Sequence, residues 1–159
     1  MSHLLQRRRE ASAGRGGLVL VSGDAGSGKS RLLAEFRDNL DSARLHVAVA
    51  QCSESPGRPY SAVLDAISLL SGTPPPIGPA PSRVEQFSQI QRQIRTLAQR
   101  RTLVMLIEDV HWAGSDTLEL LEAIVSNAGA MRLLVVATQR TAEPAEDSPA
   151  FKALVRLHR

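Results

Sequence analysis

Four short apolar runs punctuate the chain, and polar, amphipathic stretches separate them. Leu18-Val19-Leu20-Val21-Ser22 is too short for a helix and shows no alternation, so it predicts a strand buried on both faces. Residues 23 to 28 are glycine-rich, and Leu32, Leu33, Phe36 and Leu40 then recur at helical spacing between Arg31, Glu35, Arg37 and Asp38. A strand, a loop and an amphipathic helix therefore follow one another. Leu45 to Ala50 predicts a second strand, and Ala62 to Leu70 a helix after the Pro56-Gly57-Arg58-Pro59 turn. Ser71 to Pro81 holds five prolines and two glycines and reads as an irregular connection. Val84, Phe87, Ile90, Ile94 and Leu97 step by three or four, a clean helical stripe that Ser82 is placed to cap. Leu103 to Ile107 is a third buried strand and ends at Glu108-Asp109. Asp116 with Glu119 suggests a capping box for a helix carrying Leu118, Leu121, Ile124 and Val125. Leu133 to Ala137 is the fourth strand, residues 141 to 147 read as an acidic loop, and Ser148-Pro149 opens a short final helix.

Strands that alternate with helices imply right-handed crossovers and a parallel sheet covered on both faces. Ligands of such sheets sit beyond the carboxyl ends of the strands. Composition agrees with this class. The 159 residues suffice for one domain, and with 3% aromatics the core must be built from Leu, Val, Ile and Ala. The formal charge is only +3, and of the 19 basic residues just Lys29 and Lys152 are lysines. The dense cluster Arg7-Arg8-Arg9 is answered by Glu10 and lacks stacking aromatics, so residues 1–13 read as a solvated basic segment preceding a core over 14–159. The single Cys52 can form no internal disulfide and reads as a buried small hydrophobe. No apolar run reaches the ~18 residues of a membrane span and no signal peptide is visible, which gives an expectation of a cytoplasmic protein.

The chemistry lies at the strand ends. Gly23-Asp24-Ala25-Gly26-Ser27-Gly28-Lys29-Ser30 satisfies the phosphate-loop pattern G-x-x-x-x-G-K-[ST] at every fixed position, with a strand before it and a helix after. Glycines let successive backbone N–H groups converge on phosphate oxygens at a helix N-terminus whose dipole favours anions. Lys29 would reach the β and γ phosphates, and the Ser30 hydroxyl would ligate Mg²⁺. Glu108 and Asp109 stand where a Walker B pair belongs. One would hold the magnesium and the other would orient or deprotonate a water, the assignment between them being open because Glu precedes Asp here. Thr138 and Arg140 close the fourth strand, in position to sense the γ-phosphate, with a plain surface arginine as the alternative. His111 and Trp112 follow the acids and read as packing residues.

Gly23 to Leu33, the string Leu106-Ile107-Glu108-Asp109-Val110-His111-Trp112, and Val135-Val136-Ala137-Thr138-Gln139-Arg140 together resemble the ATPase domain of STAND-type signal-transduction ATPases. The similarity is greatest to large ATP-binding LuxR-type transcriptional regulators and related AAA/Orc-like ATPase domains, and it runs from about Gly14 onward. The resemblance implies an additional-strand P-loop NTPase fold of sheet order 5-1-4-3-2, with ATP and Mg²⁺ as ligands and nucleotide-controlled switching of attached modules. By motif it carries phosphate and cofactor contact to residues 23–31, with Lys29, Ser30 and the neighbouring Arg31, and to Thr138. Metal contact falls to Ser30, Glu108 and Asp109, and catalytic roles to Glu108, Asp109 and Arg140. The family's G-R-E-x-E-L opening has no match here. Its fifth strand, helical lid and DNA-binding helix-turn-helix are expected to be missing, which leaves a three-layer sandwich of order 1-4-3-2.

The resulting expectation is an ATP-binding module whose hydrolysis, if any, is slow. Its partners are ATP and, through the exposed sheet edge, a protein or a second copy. A truncated, non-catalytic interaction remnant is the rival reading. A small-molecule kinase is disfavoured because residues 71–81 offer no arginine-bearing lid.

Overall fold

The computed structural model describes residues 1–54, 60–71, 82–141 and 152. The turn at 56–59, the connection at 72–81 and the acidic loop and final helix expected beyond 141 lie outside the described residues. Four strands, β1 (Gly17–Ser22), β2 (Leu45–Gln51), β3 (Thr102–Glu108) and β4 (Leu133–Gln139), form one parallel sheet in the order β1-β4-β3-β2. Helix α1 (Ser2–Ser12) precedes β1 and α2 (Lys29–Asp38) follows it. Helices α3 (Ser61–Ser71) and α4 (Arg83–Arg100) lie between β2 and β3, and α5 (Ser115–Ser126) lies between β3 and β4. The order 1-4-3-2 is the one expected from the resemblance.

Alternation along each strand divides the core in two. On one face Leu18, Leu103, Met105, Leu133, Val135 and Ala137 pack against Val63, Ile67, Ile90, Ile94, Leu121 and Ile124 of α3, α4 and α5. On the other, Val19, Val104, Leu106, Leu134 and Val136 meet Leu33 and Phe36 of α2 and Leu4 and Ala11 of α1. Phe36 is fully enclosed, and burying a side chain of this kind stabilises the fold by about 1.5–3 kcal/mol. The central strands β3 and β4 are covered on both faces, which is why they read as unbroken apolar runs.

Two expectations about helices change. The opening segment is no solvated arm: residues 2–12 form α1, which lies against β1, β3 and β4 and buries Leu4 and Ala11. Arg7 pairs with Glu10, and the Ser12 and Thr102 hydroxyls are linked at 3.2 Å. Only two of its positions are buried, so the helical stripe was too thin to register among the arginines. The Asp116–Glu119 capping box is not formed either. Helix α5 starts at Ser115 with Gly114 as N-cap, which puts Asp116 in the first turn, where a carboxylate complements the helix dipole. The cap expected at Ser82 is present as a full capping box with Glu85, whose hydrogen bonds from Ser82 hold its carboxyl below the ordinary glutamate range.

Where the chain passes from α1 into β1 it runs tightly under the entry to β4. A Cβ on Gly16 would come within 2.3 Å of the Leu133 carbonyl oxygen, 2.5 Å of Ala128's and 2.6 Å of Met131's.

Candidate functional site

The carboxyl ends of β1, β3 and β4 gather most of the residues singled out from the sequence. Beyond β1 the chain turns through residues 23–28 and enters α2 at Lys29. Gly26 and Gly28 take φ of 76° and 87°, with open space where a Cβ would be, so backbone conformation alone selects glycine there. Gly28 is the N-cap of α2 and no side chain caps it, which leaves first-turn N–H groups available to an anion. Asp24, Ala25, Gly26, Ser27, Gly28, Ser30 and Arg31 are exposed. Lys29 is half-buried because its side chain folds back over the loop: Nζ donates to the carbonyls of Gly23 at 2.8 Å and Asp24 at 2.7 Å and reaches Ser27 Oγ at 3.5 Å. The ammonium thus sits inside the curve of the loop.

The acids stand two strands away, a separation of roughly 10 Å at ordinary strand spacing. Glu108 ends β3 and, by alternation after the inward Ile107, lies on the face of the sheet that carries α2. Asp109 leaves the strand with φ 55°, a left-handed conformation that costs a non-glycine residue about 1–2 kcal/mol. Three bonds hold it or its neighbour. Its N–H donates to Thr138 Oγ1 at 2.9 Å, its Oδ2 accepts from Gln51 Nε2 at 3.4 Å, and the Glu108 carbonyl accepts from Cys52 N–H at 2.9 Å. Thr138 is 1% exposed, and its hydroxyl oxygen accepts the Asp109 N–H. Burial, with the charge of Asp109 added, pushes the Cys52 thiol up to about 11. Arg140 is half-buried one residue past β4. His111, 8% exposed, packs its ring against Trp112 at 5.0 Å between centroids.

Gln51 was not singled out from the sequence. It ends β2 directly opposite Glu108 in register, yet it is 58 positions from Asp109 in sequence, and only strand pairing reveals the contact. Among the described residues no group of three or more His, Cys, Asp or Glu gathers as a metal centre. Ser30, Glu108 and Asp109 offer oxygen donors, which suits a magnesium ion that takes one or two carboxylates and completes its shell with phosphate and water.

Comparison with known proteins bears on the family and the fold. A family profile described as the AAA ATPase domain matches residues 1–136, and the chain belongs to that family. An uncharacterized protein of Rhizobium meliloti (strain 1021) is 26% identical over 176 aligned residues, covering 84% of this chain and 17% of the relative. Among solved structures, Drosophila ORC bound to GC-rich DNA and Cdc6 superposes with a TM-score of 0.63 at 13% identity, over 99% of this chain and 51% of that one. Cdc6p from Pyrobaculum aerophilum gives 0.57 at 15% identity, over 98% and 43%. At these identities the likeness is one of fold, a P-loop NTPase-like α/β sandwich. The chain spans about half or less of each solved relative and a sixth of the curated one. No helix among the described residues is long and apolar enough to cross a membrane.

Proposed function

We propose that this chain binds Mg-ATP through residues 23–31 and serves as the nucleotide switch of a signalling or transcription-regulating ATPase of the STAND type, with slow hydrolysis at most. The observation that carries the reading is the union of the glycine loop, the uncapped start of α2 and the Lys29 ammonium within the loop. Together they form a concave set of donors with no acidic side chain bonded to the lysine among the described residues. A triphosphate offers acceptors to all of them, and Lys29 would exchange its two carbonyl bonds for charge-assisted ones.

Ser30 with Glu108 or Asp109 would hold the magnesium, which when bound neutralises charge on the phosphates. Asp109 is the better placed of the two to orient a water. It lies beyond the strand end and its backbone is fixed by Thr138, whereas Glu108 stands on the α2 side of the sheet. Arg140 would supply charge toward the γ-phosphate. Attached modules, and any protein partner at the β1 edge, belong to this same reading.

Calorimetric titration with Mg-ATP, paired with a thermal-shift series, tests it. A bound nucleotide gives a saturable heat and raises the melting temperature by mass action. No heat and no protection at millimolar nucleotide overturn the proposal in favour of an interaction module.

A further inference from the structure

On the α5 side of the sheet β1 and β4 end in two polar residues that lie outside both the glycine loop and the acid turn. Ser22 and Gln139 face each other in register, and Gln139 Nε2 donates to Ser22 Oγ at 2.6 Å. The carboxamide tops a column of Leu133, Val135 and Ala137 that is otherwise apolar. Gln139 is 7% exposed, and its Oε1 is buried without a hydrogen-bond donor. An unpaired buried acceptor destabilises a fold, so on packing grounds a leucine would serve this position better. What the carboxamide adds is the bond to Ser22, the residue immediately before Gly23.

Its neighbour Thr138 performs the matching task on the opposite face by accepting the Asp109 N–H. Two consecutive residues of β4 therefore hold the two halves of the site: one grips the acid turn, the other the root of the glycine loop. β4 lies between β1 and β3 and is buried along its whole length, which makes it a rigid reference for both. Amides that converge on phosphate oxygens must be placed to a fraction of an ångström, and the direction in which the loop leaves β1 sets that placement.

We propose that Gln139 is a positioning residue for phosphate binding, acting through Ser22 to fix the exit of the glycine loop relative to the acid turn. The inference rests on the nucleotide reading given above. The test compares the wild type with Gln139→Leu, Ser22→Ala and the double variant, by melting temperature without nucleotide and by Mg-ATP calorimetry. Gln139→Leu is expected to melt at or above the wild-type temperature yet bind Mg-ATP about fivefold more weakly, the worth of one hydrogen bond. Ser22→Ala should weaken binding similarly, and the double variant no more than either single one.

Wild-type affinity in Gln139→Leu, with any change confined to melting, overturns the inference, and so do single effects that add. Should Gln139→Leu not fold, Ser22→Ala decides: weakened binding sustains the inference and wild-type affinity overturns it. A wild type that binds no nucleotide overturns the nucleotide reading and this inference with it, whereas a binding wild type with unaffected variants overturns the inference alone.

Discussion

Beyond its root at Ser22, which Gln139 of β4 braces, the glycine loop is held by other means than the acid turn. The loop at 23–28 is solvent-exposed over most of its length, is shaped by glycines at positive φ, and is braced chiefly by its own lysine and backbone. The turn at 108–112 is tied down from outside, by Thr138 of β4, Gln51 of β2 and the backbone of Cys52, with His111 packed against Trp112. A loop whose lysine bonds to its own carbonyls and to the Ser27 hydroxyl can redirect those bonds to a ligand at small cost. A turn fixed by neighbouring strands has its backbone held by bonds that involve no ligand. Under the proposed function the difference separates the tasks: the loop would capture and the turn would position.

Substitutions can break this contrast on either side. Lys29→Ala removes the only cation within the loop and should weaken Mg-ATP binding about a hundredfold or more by calorimetry, with little change in melting temperature. Asp109→Asn should leave affinity within about twofold and lower steady-state phosphate release by about a hundredfold from the wild-type rate. Equal losses of affinity and rate there would show that the acid captures as well as positions.

Thr138→Val keeps the shape but strands the Asp109 N–H, and should cost about 1–2 kcal/mol in denaturant unfolding. An unchanged midpoint would mean that the turn is held without β4. The smallest effect is expected at Cys52. Its thiol is raised, so the stability that this burial confers is complete below the ordinary cysteine value near 8.5 and is lost as pH rises toward about 11. Alkylation of the native protein should therefore be slow at pH 8. Asp109→Asn should lower the thiol's midpoint only slightly, because burial is the larger cause.

Most of the sheet was legible in the sequence because buried parallel strands are continuous apolar runs, and each of the four observed strands lies within two residues of its expected bounds. The stripe of α4 and its Ser82 cap were equally plain. Helix α1 was not, since two buried positions among arginines leave almost no periodic signal. The start of α5 differs from the expected one because Asp116–Glu119 has capping-box spacing, while the helix is capped two residues earlier, at Gly114. At the candidate site the loop and acid residues were visible as local strings. Gln51 and the Ser22–Gln139 pair were not, because they meet their partners across 58 and 117 positions and register alone brings them together.

Gly16 carries a practical lesson for mutational surveys of this chain. Three carbonyl oxygens crowd the place where any larger residue would put its first carbon, so even alanine there must push β1 or the approach to β4 aside. A screen scored by activity alone would rank position 16 with the candidate-site residues, although it lies at the amino end of the sheet, away from the carboxyl strand ends where those residues gather. Measuring folded yield alongside activity distinguishes a collision of this kind from a lost ligand contact.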